Sequence, residues 1–457
     1  MSGAAIPRSS SSLIAENDPA QKTTTSTSAR CADAVPRPRG TAVSIQGLQP
    51  SGPPKREIAN AGDNGAVTRY DAIVVGAGPA GSTCAHRLAS AGANVLLLDR
   101  ARFPRDKPCG GGVTGRAARL LPFSIDPVVE DVVTSVRMRL RFGGWFEHGD
   151  GEPLVLMTQR IRLDAYLLEQ AANAGAEVRE GMKVEHAQAG SEGVEVTAGG
   201  ERLHAAALVG ADGVNGICGR ALGLGGNQAV GVAIEGNIGY DRLRTDGYRG
   251  CAVLELGVVP GGYGWVFPKG DHVNVGLGGW EGEGPRLRTH LRDLCEAHGI
   301  AYDDLEALRG YRLPLRSADS TLARGRAALI GDAAGLVDPV SGDGMFEGFL
   351  SGKLASEAVL DLLAGRSESL DPYGERLTRT LATHLWASWG VKAALDRFPR
   401  VTFRIARSRV VWRTVERLVR GDIADVRGAR GLARPPLKAL AALARVAGNP
   451  GGAYRQA

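Results

Sequence analysis

The chain predicts an α/β protein with three parts: a Rossmann-like dinucleotide-binding domain, a second domain built on an antiparallel sheet, and a helical C-terminal region. Three observations carry that prediction. Two short apolar runs, residues 71–75 and 94–98, flank a helical stretch over residues 80–91 and make a βαβ unit. Between Val230 and Gly279 the pattern becomes strand-rich, with turn signals at Pro260-Gly261-Gly262 and Lys269-Gly270-Asp271. Beyond residue 365 helical periodicity dominates.

Taken in order, residues 1–68 are rich in Ser, Thr, Pro, Gly and Ala without periodicity and read as a disordered leader. Glu16 and Asp18 argue against a plastid or mitochondrial transit peptide, which avoids acids. Order begins at Tyr70. The first apolar run suits a buried parallel strand, and Gly92 closes the helix that follows. Residues 163–174 read as an amphipathic helix. Alternating segments around Val184, Val194, Val196 and Leu203 suit a small antiparallel ribbon, and residues 206–209 a separate buried strand. Residues 327–330 form another buried strand, and residues 344–363 a long helix. The expected division is 69–225 plus 318–365 for the dinucleotide domain and 226–317 for the antiparallel substrate domain. Part of 120–160 serves the substrate side, and 366–457 is the helical, basic region.

A hydrophobic fraction of 43% and a charged fraction of 23% fit a soluble globular protein. No apolar run reaches the roughly 18–20 residues of a membrane span, and the start lacks the apolar core of a secretory signal. Six cysteines lie far apart without a CxxC pair, so a reduced cytoplasmic setting and no metal site are expected. Net charge is +6, yet residues 397–445 alone carry thirteen Lys/Arg against three acids. Within them Val401, Ile405, Ser408, Trp412, Val415 and Val419 recur at helical spacing, with arginines on the other faces. Such a basic amphipathic helix either packs on the enzyme or lies on an anionic membrane. Nucleic acid is not an expected partner, because no recognition motif accompanies the charge.

Gly76-Ala77-Gly78-Pro79-Ala80-Gly81 sits where strand becomes helix. Its glycines allow a tight turn, close approach of a pyrophosphate and close helix–strand packing. The helix N-terminus supplies free N–H groups for the phosphates. Asp99 ends the next strand, placed for the adenosine ribose, with Arg100 beside it. Three later stations separate FAD from NAD: Asp212-Gly213 after one buried strand, Gly331-Asp332 after another, and Gly344-Met345 opening a helix. Asp332 suits ribityl hydroxyls, and a helix N-terminus suits the negative charge of a reduced flavin ring.

The set GAGPAG, GADGV and GDAAG resembles the para-hydroxybenzoate-hydroxylase-like flavoproteins, with their glutathione-reductase type of Rossmann domain. Within them the chain is most similar to the geranylgeranyl reductase family. Two further segments carry that likeness: residues 103–112, FPRDKPCGGG, and residues 263–268, YGWVFP, followed by Asn274-Val275-Gly276. The likeness spans about residues 70–365. It implies an FAD-dependent reductase that saturates C=C bonds of a polyprenyl small molecule or lipid, drawing electrons from NADPH or reduced ferredoxin. It implies that Lys107, Pro108, Cys109 and Gly110 line the flavin ring, that Arg160 contacts FAD, and that Tyr263, Trp265 and Phe267 wall the substrate site. The three aromatics alternate and so share one strand face, either as that wall or as ordinary core. Cys109 lies in a proline- and glycine-rich loop, and we take it as proton donor or positioning residue. One departure is visible: Gly216 stands where the family pattern GADGxxS has serine. The alternative is a flavin monooxygenase or halogenase on the same scaffold, whose W-x-W-x-I-P motif the YGWVFP segment does not match.

Overall fold

The strand Arg69–Val75 is paired in parallel on both sides, by Val95–Asp99 and by Glu201–Gly210. In the computed structural model, which describes residues 69–226, 228–317 and 319–448, this trio forms the centre of the first sheet. The leader expected at residues 1–68 lies outside the described residues. The sheet continues to Glu177–Glu180 on one side and to Ala327–Leu329 on the other. Ile73, Val74, Leu96, Leu97 and Leu208 are fully buried, as expected of parallel strands covered on both faces. The helix Pro79–Ser90 packs against the first two strands, and the helices Arg160–Asn173 and Met345–Leu363 pack against it.

Two boundaries differ from the expectation. The helix read as starting at residue 163 begins at Arg160, so Arg160 stands in its first turn. Leu203 and residues 206–209 belong to one strand, not two. Residues 201–205 pair antiparallel with Val194–Ala198, while residues 204–210 pair in parallel with the first strand. Its burial changes from alternating to continuous along its length, which is why one strand reads as two.

The second sheet runs in the order Glu306–Leu315, Ala229–Gly239, His272–Trp280, Tyr263–Lys269, Cys251–Leu256, Ser135–Leu140, Phe146–Gly149. The strands within residues 226–317 all pair antiparallel, as expected, and Ser135–Leu140, from the 120–160 stretch, joins their edge in parallel with Cys251–Leu256. One face of this sheet presents Ile234, Val266, Val275 and Leu277 to Leu291 and Leu294 of the helix Leu287–Ala297. The opposite face carries the alternate residues in register. Tyr311, Ala233, Gly278 and Tyr263 form one row; Glu235, Gly276 and Trp265 form the next; Asn237, Asn274 and Phe267 follow. A period of two thus sorts apolar core from polar and aromatic groups.

The C-terminal helices are built into the same body. Asp371–Arg397 adds Leu377, Leu381, Leu385 and Trp389 to the core of the first sheet. The expected single basic helix is broken in two, Pro399–Ala406 and Arg409–Arg420, with the Ser408 side chain accepting from the Val411 N–H as N-cap. Trp412 packs inward with Phe403, Val133 and Met157, while Val401, assigned to the apolar stripe, is half exposed. The break rotates the two halves out of one stripe. No helix among the described residues is long and apolar enough to cross a membrane.

Candidate functional site

At the end of the first strand the chain turns at Gly76, whose φ of +107° excludes other residues in practice. A Cβ on Gly81 would lie 1.8 Å from the Gly76 carbonyl oxygen, so helix and turn touch backbone to backbone. Gly78 differs: a Cβ there would meet only Arg105 Nη2, at 3.7 Å. It faces open space at the start of the Pro79–Ser90 helix, whose first N–H groups have no side-chain cap. Arg105 is itself held by Asp164 at 2.7 Å. Asp99 accepts from the Ala77 N–H at 2.7 Å and the Ala101 N–H at 2.8 Å, bracing the glycine loop; Arg100 beside it is exposed.

Asp212 accepts from the N–H groups of Ile217 and Cys218, at 2.7 and 2.9 Å, through Oδ2 alone. Its Oδ1 is buried without a hydrogen-bond partner. The departure at Gly216 has a geometric reason. A Cβ there would sit 2.1 Å from Asp212 Cγ, so in this loop the glycine makes room for the carboxylate. Gly213 and Gly331 both take positive φ at the strand ends.

Lys107 Nζ meets Asp332 Oδ2 at 2.8 Å, joining the 103–112 loop to the Gly331-Asp332 turn. Burial opposes ionisation of Asp332, but Lys107 and Arg160 outweigh it and hold the carboxyl below the usual aspartate range. Arg160 is buried in a bidentate pair with Asp164, both contacts 2.6 Å. Burial disfavours its charge, yet Asp164 holds it more firmly protonated than a free arginine. Gly344 follows: a Cβ on it would lie 3.3 Å from Asp332 Oδ1, and Met345 opens the helix there. Asp343 accepts from the Met345 N–H at 2.8 Å.

The aromatic row lies between the 103–112 loop and the Gly342–Gly344 turn. Trp265 contacts both neighbours, Tyr263 edge-on and Phe267 stacked, each at 6.0 Å between centroids. A Cβ on Gly110 would be 3.0 Å from the Phe267 ring, so the Cys109–Gly110 loop rests on the row. At the other end the Tyr263 hydroxyl donates to the Ser341 carbonyl, next to the Gly342–Gly344 turn. Pro108 and Cys109 are half-buried, and Cys109 Sγ accepts from the Gly111 N–H at 3.3 Å.

Behind the loop stands a buried polar group that the motifs did not indicate. Glu235 Oε1 accepts from the Cys109 N–H at 2.6 Å, and its Oε2 accepts from the Tyr311 hydroxyl at 3.2 Å. Lys269 Nζ donates to the carbonyls of Thr158, at 2.8 Å, and Cys109, at 3.5 Å. Asn274 links the Trp265 indole N–H to Asn237. Lys269 is accessible from the alternation 263-265-267-269, Glu235 as a lone carboxylate in an apolar strand, and Arg105 as part of the 103–112 segment; Tyr311 carries no local signal.

An FAD binding domain model matches residues 69–253. The menaquinone reductase of Mycolicibacterium smegmatis is 32% identical over 395 residues, covering 80% of this chain and 95% of the relative. The geranylgeranyl diphosphate reductase of Rhodobacter capsulatus is 32% identical over 307 residues, 65% of this chain and 76% of the relative. The chain belongs to the geranylgeranyl reductase family of FAD-dependent oxidoreductases. A geranylgeranyl bacteriochlorophyll reductase-like protein of Thermoplasma acidophilum shares the fold, with a TM-score of 0.67 at 22% identity, over 85% of this chain and 98% of that one.

The residues present fit the flavin cofactor of the geranylgeranyl reductase family. The open side of Gly78, the uncapped helix start and the orphaned Asp212 Oδ1 each leave polar valence for a ligand. Where no metal site was expected, Asp338, Glu347 and His384 bring ligand-type atoms within 4.8 Å of one another. His384 Nε2 lies 3.1 Å from Asp338 and 3.5 Å from Glu347, so an imidazolium bridges the two carboxylates. Burial opposes that charge, but the carboxylates win and raise His384 to about 9. Spacing could not reveal this cluster, since His384 comes from a separate helix.

Proposed function

We propose that the protein saturates C=C bonds of a polyprenyl chain, on a prenyl diphosphate, a quinone or a lipid. The observation that carries this reading is the aromatic row, which rests on the Cys109–Gly110 loop at one end and reaches the Gly342–Gly344 turn at the other. Two relatives named for a menaquinone and a geranylgeranyl diphosphate support it. Gly76, Gly78, Pro79, Ala80 and Gly81 would hold the pyrophosphate at the helix start, with Arg105 adding charge. Asp99 and Arg100 flank the adenosine end, and Asp212 and Gly213 close the cradle. Gly331, Asp332, Gly344 and Met345 serve the ribityl chain and ring, beside Lys107, Pro108, Gly110 and Arg160. Reduced FAD, when bound, supplies a hydride from N5.

An unactivated alkene resists hydride attack until cationic character builds at its more substituted carbon. The residues must therefore exclude water and deliver a proton. Tyr263, Trp265 and Phe267 provide the apolar wall. The Cys109 thiol delivers the proton, and the Gly111 N–H on its sulfur stabilises the thiolate left behind. NADPH or reduced ferredoxin recharges the enzyme. The exposed Arg413 and Arg417 would meet anionic lipid if the substrate is membrane-resident.

The test is to purify the chain, record its flavin spectrum, and incubate dithionite-reduced enzyme anaerobically with geranylgeranyl diphosphate or menaquinone. A mass gain of one hydrogen molecule per double bond is expected; hydroxylated or halogenated product under aerobic turnover would overturn the reading. Cys109→Ala should keep the flavin spectrum and slow alkene reduction by about 100-fold. Unchanged turnover would remove Cys109 from the reaction.

A further inference from the structure

Each saturated double bond consumes a proton, and a water-excluding site must restore it. We infer that the Glu235 carboxyl returns the proton to Cys109 after each reduction, with the Tyr311 hydroxyl holding its far oxygen in place. This rests on the prenyl-reductase reading and on Cys109 as donor. Glu235 therefore acts through Cys109 and is a positioning and proton-supplying residue, not a group that touches substrate.

Glu235 is only 6% exposed, on the sheet face that looks at the Cys109 loop. One carboxyl oxygen accepts from the backbone N–H of Cys109 itself, 2.6 Å away, so the acid stands against the residue that carries the thiol. The other accepts from the hydroxyl of Tyr311, a half-buried residue of the neighbouring strand, and this hydroxyl is the proposed route for the replacement proton. No Lys, Arg or His nitrogen among the described residues forms an ion pair with Glu235. Lys269, the facing cation, gives its ammonium to two backbone carbonyls instead. The remaining polar groups turned towards Glu235 are the Cys109 N–H, the Tyr311 hydroxyl and Asn274. A buried carboxylate without an ion pair favours its protonated form. Burial accordingly raises Glu235 above the usual glutamate range, against the opposing pull of the Cys109 N–H and Lys269.

The exchange balances without another reagent. The thiol S–H bond breaks as the alkene carbon gains its proton, leaving a thiolate. The Glu235 O–H bond then breaks as the S–H bond reforms, and the carboxylate regains a proton from water by way of Tyr311. A purely structural prop would not need an acid. A glutamine can accept from the Cys109 N–H and donate to Tyr311 equally well.

Glu235→Gln, Glu235→Asp and Glu235→Ala separate these roles, using full-length protein with FAD and geranylgeranyl diphosphate. E235Q should bind FAD with an unchanged spectrum and reduce one double bond per flavin at the wild-type rate. Its later turnovers should slow at least tenfold, with singly reduced product accumulating. Wild-type steady-state turnover should decline as pH rises through the raised carboxyl pKa; that decline should vanish in E235Q and return in E235D. Independently of turnover, infrared spectra should show a protonated-carboxyl band that E235Q lacks. Wild-type steady-state rate and pH profile in E235Q, with C109A inactive, would overturn this inference alone. Equal loss of FAD or of the first turnover in E235Q and E235A would reduce Glu235 to a structural prop. If wild type saturates no prenyl probe, the prenyl-reductase reading fails and this inference goes with it.

Discussion

Asp212 and Gly216 stand at the two ends of one short loop and compete for one space, for the carboxylate fills the volume a side chain at Gly216 would take. A serine there has to displace Asp212 from the N–H groups of Ile217 and Cys218. Losing hydrogen bonds to a partly buried carboxylate costs about 1–3 kcal/mol. Gly216→Ser, although it restores the family pattern, should therefore lower the urea midpoint and weaken FAD retention. Gly216→Ala should do the same, because the Cβ and not the hydroxyl is at fault. If both variants melt with the wild type, the loop has room and the geometric account of the departure is wrong. At this scale the sequence was informative where a residue's role follows from its neighbours along the chain. The glycines of the first turn and the alternating aromatics are of that kind. It was silent on Tyr311, whose relevance depends on which distant segment lies beside it.

The C-terminal helices show what periodicity can and cannot convey about an element. The apolar stripe from Val401 to Val419 continues through Ser408 in register, so a single helix fits the spacing equally well. The Ser408 hydroxyl decides otherwise by capping a new helix, a signal legible as serine before an apolar periodic run. Of the two earlier readings of this region, packing accounts for Trp412, which lies against Phe403 and stacks on His148 at 5.5 Å. Trp412→Ala should cost about 3–5 kcal/mol, and Ser408→Ala about 1 kcal/mol. Arg413→Ala, on the exposed side, should change stability by no more than about 0.5 kcal/mol. Chemical denaturation of the three variants checks the ranking. A Trp412 variant as stable as the Arg413 variant would mean the helix is not docked. The strand Glu201–Gly210 taught the converse: one element read as two because its environment changes midway.

Over the whole molecule, the sheet of parallel strands delivers the glycine and aspartate turns, and the second sheet delivers the aromatic row and Glu235. The two fold classes were legible because their periodicities differ. The parallel pairing of Ser135–Leu140 was not, since strand direction leaves no local trace. Long-range assembly also creates the Asp338–His384–Glu347 bridge, which joins the turn before Met345 to the helix Asp371–Arg397. Its linkage to stability has a definite sign. His384 is raised from 6.5 to about 9 against burial by Asp338 and Glu347, so the folded state holds a proton that the unfolded chain releases earlier. That stabilisation is full below pH 6.5 and is lost as pH climbs through about 9. Nearby, burial and Glu347 raise Asp343 to about 7, so it too binds its proton more tightly when folded, and its contribution fades on the way up to that pH. Both groups therefore make the protein weaker as the solution becomes alkaline, with His384 worth at most about 3 kcal/mol. Urea midpoints of the wild type should fall steadily between pH 6.5 and about 9, and His384→Gln should lack that decline while being less stable at the acid end. A wild-type midpoint that stays level across this window would mean that no imidazolium bridges the two carboxylates.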